Sequence, residues 1–103
     1  MAKKNLYAVL DTATGIYDGP MPAHTDEQVK RQFVQLATNA ENPIGQNPKD
    51  FAIIRTGIWN DGTGELTDTQ NITLMTGLEA VAFSRKETVV QENMEKISAG
   101  GTA

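Results

Sequence analysis

The sequence predicts a small α+β domain: an antiparallel sheet built from hairpins, one packed helix, and a short C-terminal helix. Three observations lead there. Short runs of strand-forming residues, such as 6–10 and 51–59, stop at turns rich in Gly, Asp and Asn. The stretch 25–37 repeats its apolar residues at helical spacing behind a capping sequence. A chain of 103 residues has room for one core and little more. A single domain over residues 1–97 is expected, with a small-residue tail at 98–103.

The first hairpin pairs Leu6-Tyr7-Ala8-Val9-Leu10 with a strand opening at Ile16-Tyr17. The turn between them, Asp11-Thr12-Ala13-Thr14-Gly15, supplies a side-chain acceptor and a glycine for positive φ. Gly19-Pro20-Met21-Pro22 interrupts the second arm, and proline cannot donate to a central ladder, so that arm belongs at an edge. Thr25-Asp26-Glu27-Gln28 fits a capping box that starts a helix. Val29, Phe33, Leu36 and Ala37 form its predicted sheet-facing stripe. Asp26 with Lys30, and Glu27 with Arg31, stand in the favourable acid-first i,i+4 order.

That helix is expected to end near 39–42, and Pro43, Gly45, Asn47 and Pro48 predict an irregular link up to Lys49. Phe51 to Trp59 is the strongest strand, apolar on both faces and therefore central. Strict alternation would put Phe51, Ile53, Arg55, Gly57 and Trp59 on one face and Ala52, Ile54 and Ile58 on the other. A second turn, Asn60-Asp61-Gly62-Thr63-Gly64, echoes the first and leads into Glu65-Leu66-Thr67. Asn71 to Met75 reads as a further strand, while Leu78 to Phe83 is apolar without a clear period. Ser84-Arg85-Lys86-Glu87 reads as a second capping box opening the C-terminal helix. Its narrow stripe of Val90, Met94 and Ile97 is the expected self-association surface of a homo-oligomer, a dimer being the commonest form.

Composition removes whole classes of chemistry. With no cysteine there is no disulfide framework, thiolate metal site or cysteine nucleophile, and the chain suits a reducing cytoplasm. No apolar run approaches the roughly 20 residues of a membrane span, and the first residues lack a signal-peptide core. A single histidine, His24, cannot build a His-rich zinc site, and no phosphate loop or dinucleotide fingerprint is present. The oxygen-rich loops at Asp11 and Asp61 lack the ligand alternation of a calcium loop, so turn formation explains them. No catalytic residue, metal or cofactor is therefore expected.

A net charge of -4 argues against a surface that grips phosphates everywhere, so nucleic-acid binding would have to be local. The candidate surface combines Arg55 and Trp59 with Tyr7 or Tyr17 on neighbouring strands, and with the Lys30-Arg31 doublet. Aromatic rings beside cations suit single-stranded DNA. Trp59 as a lid on the core, with Arg55 snorkelling at an edge, is the structural alternative.

Tyr7 and Asp11, Tyr17 and Pro20, Phe33, Asn42-Pro43, Asn47-Pro48-Lys49-Asp50-Phe51, Gly57, Trp59, Asp61 and Gly64-Glu65-Leu66 follow one another at the spacing of a known phage family. Over roughly residues 5–66 the chain resembles the small nonstructural protein of gokushoviruses, the microvirus subfamily that includes the chlamydia phages. Trp59 replaces an expected phenylalanine, and the segment after Asp68 is longer than in the shorter members. The resemblance implies a non-virion or minor protein of the infected bacterium's cytoplasm, linked to single-stranded DNA genome replication, including the switch from duplex to single-strand synthesis. It brings no catalytic residues. Two modes of action are open: binding single-stranded DNA, or binding a viral replication or capsid protein without touching DNA.

Overall fold

The computed structural model describes residues 3–86, and the predicted stripe of Val90, Met94 and Ile97 lies outside them. The elements are β1 (Lys3–Asp11), β2 (Ile16–Ala23), α1 (Asp26–Ala37), α2 (Pro43–Gln46), a 3-10 turn (Pro48–Asp50), β3 (Phe51–Asn60), β4 (Glu65–Thr67) and β5 (Ile72–Thr76). Helix α3 follows at once, over residues 77–86. All strand pairings are antiparallel, giving the small α+β sheet that the sequence predicts. β3 is central: β1 lies along one side, and β4 and β5 share the other side end to end.

The two hairpin turns use identical chemistry. The side-chain oxygen of Asp11 accepts from Ala13 and Thr14 N–H, and that of Asn60 accepts from Gly62 and Thr63 N–H. In each, the closing glycine donates back to the first residue and sits at positive φ, 75° at Gly15 and 74° at Gly64. The Asp11 carboxylate is thereby engaged in shaping its turn.

β2 does run at an edge, as its prolines require, and it continues through them to Ala23. Its register against β1 shifts between Tyr7 and Val9, where Gly19 passes so close that a Cβ would lie 2.9 Å from the Tyr7 carbonyl. β4 is only three residues long, and β5 is five residues long with a register shift of its own against β3. Among the described residues, no outer strand offers a long, regular edge.

α1 begins as predicted, with the Thr25 hydroxyl accepting from Gln28 N–H at 3.2 Å. It packs on the sheet through Val29, Phe33 and Ala37, at i, i+4 and i+8. Leu36, expected on the same face, is 41% exposed. It lies at the margin of a stripe that Ala37 keeps narrow. With Tyr7, Ile53 and Ala80, these three residues make the main core. On the opposite face of the sheet Ala8, Ala52 and Ile54 are buried as well.

Two further expectations are corrected. The proline-rich link is not irregular. Pro43 and Pro48 each open a helical turn, where a missing N–H costs nothing, and the Asn42 side chain caps the first by accepting from Ile44 and Gly45 N–H. The C-terminal helix starts not at Ser84 but eight residues earlier. Glu79 N–H donates to the Thr76 hydroxyl at 3.1 Å while Thr76 N–H donates to the Glu79 carboxylate at 3.2 Å, a reciprocal capping box. Gly77 is required there, because a Cβ would run into the Pro48 carbonyl.

Candidate nucleic-acid interface

Arg55 does not stand free for a ligand. Its guanidinium donates to one Asp26 carboxylate oxygen at 2.8 Å, and the Tyr7 hydroxyl donates to the other at 2.6 Å. Asn5 completes the chain by donating its amide to the Tyr7 oxygen at 3.0 Å. Tyr7 itself is 1% exposed, so its ring cannot stack on a base. Burial pushes its hydroxyl up to about 12, assisted by the hydrogen bond and charge of Asp26, while Asn5 and Arg55 pull the other way. The network ties the first turn of α1 to the sheet. It also corrects the helix-surface pairing: Asp26 serves Arg55 rather than Lys30, and Lys30 lies 3.9 Å from Glu27 instead.

Arg55 and Trp59 do not share a face. Tyr7 pairs with Arg55, but Leu6 pairs with Gly57, leaving Thr56 as an extra residue in β3. This bulge reverses the alternation beyond it. Trp59 pairs with Lys4 and Leu66 on the face away from α1, and Ile58 moves to the face of Asn5 and Tyr7. Trp59 is 38% exposed, neither a sealed core lid nor a partner of Arg55. Tyr17 is exposed and pairs with Leu10 on the same outer face as Trp59, toward the other end of β1. The six predicted residues therefore divide among the buried network, the outer sheet face and the surface of α1.

Lys30 and Arg31 do come together with an aromatic ring, although not with a predicted one. They line a cleft of about 520 Å³ between α1 and α3, with Val34 and Met75 at its floor and Phe83 on the α3 side. Phe83 is 45% exposed. Lys86 follows it by three positions, hence on the same side one turn later. Glu27 is the one acid among the described residues lining the cleft, and it is near Lys30. Arg31 is exposed and has no ion pair among the described residues. Sequence reasoning missed Phe83 because Leu78 to Phe83 has no clear period once the helix start is misplaced. The Thr76-x-x-Glu79 pattern was the signal that could have found it.

A family model described as Phage ORF5 protein matches residues 4–81. The chain belongs to this phage protein family. The matched segment spans about three quarters of the chain and extends past the 5–66 of the sequence resemblance, through β5 into α3. Of the cleft residues, Lys30, Arg31 and Met75 lie inside the matched segment and Phe83 just beyond it. No curated protein and no solved structure matches the chain. Among the described residues no cluster of acids and histidine could hold a metal, and no helix is long and apolar enough to cross a membrane.

Proposed function

We propose that this protein is a nonenzymatic accessory factor of a gokushovirus-like phage that binds single-stranded DNA during genome replication or its handover to packaging in the host cytoplasm. The observation that carries this reading is the cleft where Lys30 and Arg31 face the exposed ring of Phe83. On a chain of net charge -4, it is a place where cations converge beside an aromatic surface. Phosphates would pair with Lys30 and Arg31, and an unpaired base would stack on Phe83. The gokushovirus resemblance supports the replication setting, and membership of the phage family supports the accessory role.

Fluorescence anisotropy with a labelled oligothymidylate of about 12 nucleotides tests the reading. Lys30→Ala and Arg31→Ala are each expected to flatten the salt dependence by about one phosphate contact. Phe83→Ala should weaken binding about tenfold with little change in salt slope, since its loss is one of stacking. Unchanged affinity in folded Lys30→Ala/Arg31→Ala protein would reject the cleft as a DNA site. Glu27→Gln should do the opposite of these. Removing the acid that competes for Lys30 should tighten binding about threefold at low salt, with the gain vanishing at high salt.

The apolar floor of Val34 and Met75 favours one rival, a protein-interaction module that takes an acidic segment of a viral replication or capsid protein in the same cleft. Binding to such a partner would fall less steeply with salt than binding to DNA.

A further inference from the structure

Leading out of the cleft, the solvent side of α1 carries Gln28, Arg31, Gln32 and Gln35, at i, i+3, i+4 and i+7, all exposed. This is one stripe along the helix, opposite the buried Val29, Phe33 and Ala37. Its residues also link three surface depressions. The cleft shares Glu27, Arg31 and Gln35 with a shallow trough over α1, and that trough shares Gln28 and Gln32 with a hollow beside β1 lined by Lys4 and His24. The stripe itself has no acid, and Asp26 points away into its bonds with Tyr7 and Arg55. From Gln28 to Gln35 it runs about 10 Å along the helix axis.

We propose that this stripe is a continuation of the DNA path: a strand leaving the cleft crosses α1 over Gln28 and Gln32 toward Lys4. The inference rests on the single-stranded DNA reading of the cleft. Side-chain amides donate to phosphate oxygens and accept from base edges without adding charge. A row of them between Arg31 and Lys4, whose half-exposed amine lies 4.0 Å from Asp61, holds an extended strand with little sequence preference. The path therefore takes more nucleotides than the cleft alone.

The test compares the full-length wild type with Gln28→Glu/Gln32→Glu, using oligothymidylates of about four and about eight nucleotides at low salt. The control, Gln70→Glu/Asn71→Asp, adds the same charge to the exposed loop between β4 and β5. The wild type and the control should bind the longer strand about tenfold more tightly than the shorter one. The stripe variant should lose most of that gain while its affinity for the shorter strand changes little. Circular dichroism checks that all three are folded. If wild type binds and depends on Lys30 and Arg31, but the stripe variant behaves like the control, the path ends in the cleft and this inference is overturned. If wild type binds neither strand, the DNA reading of the cleft falls, and the extension with it.

Discussion

Asp26→Ala is expected to destabilise the protein by about 2–3 kcal/mol. One carboxylate receives both the Arg55 guanidinium and the Tyr7 hydroxyl, so its loss strands a cation and a buried donor together. Breaking a fully buried pair costs about 3–5 kcal/mol. The Asp26 and Arg55 side chains are 28% and 29% exposed, and solvent screening lowers the figure accordingly. Urea unfolding should show a lower midpoint at unchanged slope. Asp26→Ala/Arg55→Met should recover part of the loss, because no charge is then left unpaired. A cost under about 0.5 kcal/mol for Asp26→Ala would mean that the network does not hold α1 to the sheet, since that is the range of ordinary surface substitutions.

The second large effect lies at alkaline pH. Folding keeps Tyr7 neutral, with its pKa raised from 10.0 to about 12. The sign follows from proton binding: between those values the unfolded chain loses the proton that the folded chain retains, so stability falls as pH rises. Tyr7 contributes in full below pH 10, and its contribution fades as pH passes through about 12. A shift of this size corresponds to about 3 kcal/mol. Other groups titrate in the same range, so the measurement is a difference. Wild type should lose about 3 kcal/mol more than Tyr7→Phe between neutral pH and pH about 12.5, read by urea unfolding at each pH. Parallel curves for the two proteins would show that Tyr7 is not protected from solvent in the folded state.

Features written within a few residues are legible in the sequence. Thr25 and Gln28 announce the start of α1, Asp11 to Gly15 and Asn60 to Gly64 announce their turns, and the two-sided apolar run of β3 announces a central strand. What depends on distant partners is not. Asp26 has Lys30 one helical turn away, and nothing local says that Arg55, 29 positions on, will take it instead. The extra residue at Thr56 leaves no mark in the sequence, because a bulge is defined only by the partner strand, yet it alone separates Arg55 from Trp59. Lys30 and Arg31 are legible as cations on the surface of α1. Their aromatic neighbour is not, because it arrives on a helix whose start the Ser84 pattern places too late.

The edges of the sheet bear on how copies of this protein can meet. Backbone-to-backbone growth needs a long, straight row of free donors and acceptors, which a shifted, proline-containing β2, a three-residue β4 and a shifted β5 all fail to supply. Among the described residues, a contact between copies would thus be made by side chains rather than by added strands. The described edges of the sheet therefore give one copy no template on which to stack the next strand by strand.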